Sequence, residues 1–339
     1  MTTALNVIGL ARDVYKGLPT TLCAGCGHNS ITNHLIKALY EYGVEPHKLA
    51  KMSGIGCSSK TPAYFVEAAH GFNGVHGRMP SAATGAKVAN RELTVLGISG
   101  DGDTASIGLG QYAHMIRRNL DCIYIVENNG VYGLTKGQFS ATADLGSTQK
   151  NGTPNQYSTI DICGLAIEIG ATFVARSFSG DGKQLVPLLQ AALSHRGTAV
   201  LDIVSPCVTF NDHAGSTKSY AYVKEHDRDF ILNAPDFVRA REEIVVDYDP
   251  GTVQAIELDD GSQLLLRKVG RDYDATSRID ALEIVHQARR AGELVTGLLF
   301  ADTAIPDLCT RERLPRTPLK DLQEDDLRIG REEWRKLFE

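Results

Sequence analysis

Gly100-Asp101-Gly102-Asp103 follows the apolar run Leu93–Ser99, and Asn128-Asn129 follows the apolar run Cys122–Val126, with 25 residues between Gly102 and Asn128. No other feature constrains the fold as tightly. Two short apolar runs that each end in turn residues read as buried strands. The segment between them, Asp103 to Arg118, repeats Ile107, Tyr112 and Met115 at near-helical spacing. Strand, helix, strand at this distance is a βαβ unit in a parallel sheet. Further on, Thr172–Ala175, a helical pattern over Gly182–Ser194 and the strand-like Thr198–Val204 repeat it. The expected fold is therefore α/β, a parallel sheet with helices on both faces. Both turn motifs fall beyond the carboxyl ends of strands, where such sheets bind ligands.

The chemistry of those turns is specific. Asp101 offers a carboxylate oxygen, Asn129 an amide oxygen and Val131 a backbone carbonyl, a hard-oxygen set suited to Mg²⁺. Gly100 and Gly102 let main chain approach a phosphate, and the start of the following helix favours its charge. The arrangement resembles the thiamine diphosphate motif, GDG followed some 25 residues later by NN. There is no P-loop and no GxGxxG after a strand, so a nucleotide site has no comparable support.

Charge divides the chain. From Asp236 to the end there are 23 acidic and 16 basic residues in 104, while the first 235 residues hold the other 37 charges and 27 of the 33 glycines. We expect a turn-rich core over 1–235 and a small charged C-terminal extension over 236–339. In that extension Thr252–Leu258 and Ser262–Val269 flank Asp259-Asp260-Gly261 as a hairpin, and a helix spans Ser277–Leu294. A charged terminus with Pro306, Pro315 and Pro318 follows, packing on the core or on a partner subunit. The polar stretch Ser140–Ser158 reads as a long loop, a kind that is usually functional or mobile. A net charge of −6 argues against nucleic acid as the main partner. That exclusion is limited, because magnesium and backbone amides hold phosphate without a basic surface. No run approaches a membrane span. The N-terminus lacks the basic start of a secretory signal, so a cytoplasmic protein with reduced thiols is expected.

Seven cysteines are present. Cys23 and Cys26 form a CxxC before Gly27 and His28, Cys57 sits in a glycine-rich turn, and Cys207 follows Pro206 at a strand end. These four lie beside turns. Cys122 and Cys163 lie in apolar runs and read as core, and Cys309 is ambiguous. By count alone the four suit a structural zinc or a [4Fe-4S] cluster equally, and the CxxC could also be a redox dithiol.

Taken together, CAGCGH, GIGCSSK, HGRMPSAATGAK, GDGD and ENNGVYGLTKGQ resemble, in order and over residues 18–235, the β subunit of the 2-oxoacid:ferredoxin oxidoreductases. The resemblance implies that Cys23, Cys26, Cys57 and Cys207 ligate a [4Fe-4S] cluster. It implies Asp101, Asn129 and the Val131 carbonyl on Mg²⁺. Ile55, Cys57, Ser58, His76, Gly77, Gly100, Gly102, Asp103, Gly133, Leu134 and Thr135 would surround thiamine diphosphate. It also implies coenzyme A-dependent oxidative decarboxylation of a 2-oxoacid, or its reversal as reductive carboxylation, with electrons passing through the cluster to ferredoxin. The carboxylic acid that activates the thiamine ring would come from an α (or fused γα) subunit, in an α2β2 assembly. The charged extension points to 2-oxoglutarate, giving succinyl-CoA, ahead of pyruvate or a broad 2-oxoacid range.

Within that picture His76 reads as a donor to the diphosphate or the reacting oxygen, with Arg78 in support, or simply as a histidine capping the turn before Gly77. Lys60 suits a substrate carboxylate, as does Lys136, and each is equally explained as a solvated surface lysine. His28 packs beside the cysteines and is not taken as a ligand. Two readings of other classes compete: a non-oxidative thiamine enzyme with a structural zinc, and a non-catalytic iron–sulfur electron-transfer subunit.

Overall fold

The computed structural model describes residues 4–133, 135, 137–147, 153–207, 244–258 and 263–338. One nine-stranded sheet runs through it, in the order β2-β1-β3-β4-β8-β7-β11-β10-β9. Its parallel half contains β1 (Leu49–Ser53), β2 (His70–Asn73), β3 (Thr94–Gly100), β4 (Cys122–Asn128), β7 (Phe173–Phe178) and β8 (Thr198–Val204). β5 (Val131–Tyr132) and β6 (Gln138–Phe139) form a separate two-stranded hairpin.

Alternation along the strands divides the core into two layers. In β4, Cys122, Tyr124 and Val126 face one layer and Ile123 and Ile125 the other. Such period-two alternation with both sides apolar is what a sheet covered on both faces requires. The first layer is closed by α2 (Met79–Ala89), α3 (Leu109–Arg117), α4 (Ile162–Glu168) and α6 (Arg278–Arg290). The second is closed by α1 (Gly27–Tyr42), through Ile31, Leu35 and Leu39, and by α5 (Gly182–Ser194), through Leu185, Leu188 and Leu189. Cys122 and Cys163 are buried in this core, as expected, and Cys309 is buried outside it.

The segment expected as one helix over 103–118 is two pieces. Gly102–Ile107 forms a π-helical turn closed by Gly108 N–H donating to Asp103 O at 2.8 Å, and α3 begins only at Leu109. The break lies where Gly108 packs against Gly77; a Cβ there would stand 2.8 Å from the Gly77 Cα. Turns of this kind are frequent at functional sites.

The tail adds strands to the same sheet. β9 (Val253–Glu257) and β10 (Gln263–Lys268) make the expected hairpin, whose turn at 259–262 lies outside the described residues. The helix expected to reach Leu294 stops at Arg290. Glu293–Ala301 is instead strand β11, antiparallel to β7 and parallel to β10. Its run LVTGLLFA is short enough to be helix or strand by pattern alone; the open edge of β7 decides. Buried Asp181, the N-cap of α5, accepts from Lys268 Nζ at 2.8 Å and ties β10 to the core. The expected boundary at 235 lies outside the described residues, and no helix among them is long and apolar enough to cross a membrane.

Candidate active site

Because β1, β2, β3, β4 and β8 are parallel, the segments that follow them emerge at one edge. There the segments after β1 to β4 line an open cavity. Ile55, Cys57 and Ser58 arrive after β1, His76 after β2, Gly100–Asp103 at the end of β3, and Asn129, Val131, Gly133 and Thr135 after β4; all of them line it. Gly77 lies just behind, its N–H donating to Asp103 Oδ1 at 2.8 Å. Ser99 Oγ donates to the other oxygen of Asp103 at 2.8 Å, so this carboxylate fixes the turn from within. Leu134 and Lys136 lie outside the described residues. Lys60 and Arg78 do not line the cavity. Lys60 lies near enough to Cys57 for its charge to act on that thiol, and Arg78 is exposed at the start of α2.

Asp101 is buried. Its Oδ1 accepts from Asn129 N–H at 3.3 Å, and its Oδ2 accepts from Thr142 Oγ1 at 2.6 Å and from Ser140 Oγ. Asn129 Oδ1 accepts from Val131 N–H at 3.2 Å, which closes a turn after β4 against the Asp101 carboxylate at the end of β3. Gly102 is confined by the Tyr132 ring, which a Cβ would meet at 2.5 Å, and Tyr132 OH donates to Gly102 O at 3.2 Å. Main chain therefore comes to the cavity edge with no side chain between.

The cysteines approach from the same edge. Cys23 to Cys26 makes a tight turn, with Cys26 N–H donating to Cys23 O at 3.2 Å, and Cys26 then caps α1. The next residue has to be glycine, since a Cβ on Gly27 would lie 2.5 Å from Ser205 Oγ. Ser205 and Cys207 follow β8. Burial pushes the Cys26 and Cys57 thiols up, and Cys207, Cys23 and Glu127 lie near enough to both to add to the rise. The four cysteines are thus neighbours, and none is in a disulfide.

Sequence reasoning did not assign Glu127, Tyr132 or Ile107, and gave His28 no part in the cavity that all four line. Glu127 is 0% exposed; burial raises its carboxyl well above the usual range, partly offset by a hydrogen bond from Thr61. Burial pushes neighbouring His28 down to about 4. An acidic residue closing the apolar run CIYIV was the available signal.

Residues 54–203 match the family of thiamine pyrophosphate enzymes, C-terminal TPP binding domain. The chain is 44% identical over 191 residues to the 2-oxoacid:ferredoxin oxidoreductase subunit beta of Saccharolobus solfataricus, covering 56% of this chain and 63% of that protein. Against the corresponding subunit of a Sulfolobus species identity is 39% over 223 residues, 66% of this chain and 72% of the relative. A chain of the solved 2-oxoglutarate:ferredoxin oxidoreductase from Magnetococcus marinus, with 2-oxoglutarate, coenzyme A and succinyl-CoA bound, superposes with TM-score 0.71. It is 31% identical over 90% of this chain and 91% of that one. With the α/β thiamine-binding architecture and the motif-bearing edge in place, these similarities settle the family: the chain belongs to the β subunits of the 2-oxoacid:ferredoxin oxidoreductases.

Proposed function

We propose that this chain holds thiamine diphosphate, Mg²⁺ and a [4Fe-4S] cluster for the coenzyme A-dependent oxidative decarboxylation of 2-oxoglutarate to succinyl-CoA, with ferredoxin as electron acceptor. One observation carries the reading: the buried Asp101 carboxylate at the end of β3 is hydrogen-bonded to the turn after β4 that holds Asn129 and Val131, and all three line the cavity to which Cys57 also contributes.

The residues fit the groups. Asp101, Asn129 and the Val131 carbonyl would hold Mg²⁺, an all-oxygen set of the kind that ion takes. The tight Gly102 leaves backbone for the diphosphate, and the lining residues Ile55, Ser58, His76, Gly133 and Thr135 would surround the rest, with Gly77 behind them. Cys23, Cys26, Cys57 and Cys207 would hold the cluster. A cluster at this place suits the chemistry, because it passes single electrons where a redox-inert zinc ion would not.

When bound, thiamine diphosphate supplies the nucleophilic carbon and electron sink for decarboxylation, and the cluster accepts single electrons. His76, at the cavity wall, is placed to donate a hydrogen bond to the diphosphate or the reacting oxygen. Lys60, outside the lining, supplies a positive field toward a substrate carboxylate, with Arg78 farther out in support. The Magnetococcus marinus enzyme's 2-oxoglutarate favours a dicarboxylic substrate, with pyruvate or a broad 2-oxoacid range as the other outcome. An α subunit, in an α2β2 cytoplasmic assembly, completes the site with the acid that activates the thiamine ring.

The test is anaerobic purification of the complex, with iron and thiamine analysis, EPR, and dye reduction across a panel of 2-oxoacids. A reducible cluster, bound thiamine diphosphate and highest turnover with 2-oxoglutarate are expected. Zinc without a reducible cluster overturns the reading. Asp101→Ala is expected to abolish thiamine diphosphate binding and leave the iron content unchanged.

A further inference from the structure

Three cysteine-bearing segments and the strand end that carries Asn129 meet in one buried polar group. His28, two residues past Cys26, pairs its Nδ1 with Ser205 Oγ at 2.7 Å, and Ser205 lies two residues before Cys207. The other ring nitrogen, Nε2, is 3.6 Å from Glu127 Oε2. Glu127, two residues before Asn129, accepts from Thr61 Oγ1 at 3.0 Å, and Thr61 belongs to the helical turn that begins at Cys57. All four side chains are at most 2% exposed. His28 and Glu127 also line the cavity, so this group is a wall shared by the cysteine side and the diphosphate side.

Buried polar side chains are tolerated only while they have partners. His28 and Ser205 satisfy each other, Thr61 satisfies Glu127, and the two pairs face each other across the 3.6 Å between His28 Nε2 and Glu127 Oε2, so moving one segment strips a partner from the segment it is paired with. The close approach of Gly27 to Ser205 removes the slack that would let the α1 end shift alone.

We propose that Glu127 is a positioning residue which, through His28, Thr61 and Ser205, locks the cysteine-bearing segments to the magnesium-binding strand end and so couples cluster loading to thiamine diphosphate binding. The proposal rests on the cluster reading given above. Coupling of this kind is reciprocal: each site, once loaded, holds the wall in the arrangement the other needs.

The experiment uses the assembled enzyme, prepared anaerobically as wild type, Glu127→Gln and Glu127→Leu. Thiamine diphosphate affinity with Mg²⁺ is measured by calorimetry in cluster-loaded and chelator-stripped protein, beside iron content and the EPR spectrum of the reduced cluster. The wild type is expected to bind about tenfold more tightly when loaded, within the usual range for coupled sites. Glu127→Leu should bring that ratio below about twofold and shift the EPR lines, and Glu127→Gln, whose amide oxygen still accepts from Thr61, should restore both. Should Glu127→Leu fail to assemble, Thr61→Val carries the same expectation. A loaded wild type whose ratio is near one, or is unchanged by these substitutions, overturns the coupling alone. A wild type with no reducible iron overturns the cluster reading and the coupling together.

Discussion

Thr142 Oγ1 reaches across 41 positions of sequence to hold Asp101 Oδ2 at 2.6 Å, and the same oxygen atom meets Asn128 Oδ1 at 3.0 Å. The loop that follows the β5–β6 hairpin thus orients the carboxylate proposed for Mg²⁺. From Asn128 the contacts continue inward. Its Nδ2 donates to Asp202 Oδ1 at 2.9 Å, and Asp202 Oδ2 accepts from Arg176 Nε at 2.8 Å.

Outer partners of a metal ligand commonly change metal affinity 10- to 100-fold when removed. Thr142→Val is therefore expected to weaken Mg²⁺-dependent thiamine diphosphate binding by about 10- to 100-fold, and Thr142→Ser to recover it. Calorimetry on the assembled enzyme measures both; equal affinity in all three proteins sinks the idea.

Arg176 is buried between two carboxylates, Asp161 at 2.7 Å and Asp202 at 2.8 Å. Burial alone would raise the Asp161 carboxyl, but the Arg176 guanidinium, the Gly164 N–H and the Arg289 charge together outweigh it and hold the group below its usual range. Arg176→Met leaves both acids without that cation and is expected to cost about 3–5 kcal/mol in urea unfolding. Asp161 contributes its share above the unfolded carboxylate range and loses it as pH falls through the lowered folded value. The gap between variant and wild type should narrow in acid. A constant gap down to pH 3 would contradict this.

Lys51 donates to Phe65 O at 2.6 Å and Val66 O at 2.8 Å inside the fold, and burial pushes its ammonium down to about 8. Between that value and the 10.5 of a free lysine the unfolded chain binds more protons than the folded one. Stability arising from this group therefore rises with pH across that window, and its penalty is fullest below it. Relative to wild type, Lys51→Met should be more stable at pH 7.5 than at pH 9.5, read from denaturant midpoints. The opposite trend would refute the assignment.

Leu266 in β10 is 0% exposed and packs with Phe178 and Val204 of the parallel half. Leu266→Ala is expected to destabilise the chain by about 2–5 kcal/mol. The tail would then be shown to share the core's stability. A loss below about 0.5 kcal/mol, the size of a surface change, would mark the hairpin as an independent appendage.

Local signals were enough for much of this protein. Buried strands have apolar runs and turns have Gly, Asp and Asn, so the βαβ order and the GDG–NN edge were legible residue by residue. LVTGLLFA was not, because a short apolar run takes its form from the partner waiting for it, here the open edge of β7. Nor could the sequence pair Glu127 with His28, since a lone carboxyl or imidazole acquires its partners only from what surrounds it. The sequence by itself determined which groups reach the carboxyl edge of the sheet, because parallel strands leave no other exit for the segments that follow them. Only the tertiary structure decided which of those groups touch, joining His28, Thr61, Glu127 and Ser205 from four distant segments, because burial forces polar atoms to find partners wherever the fold brings them.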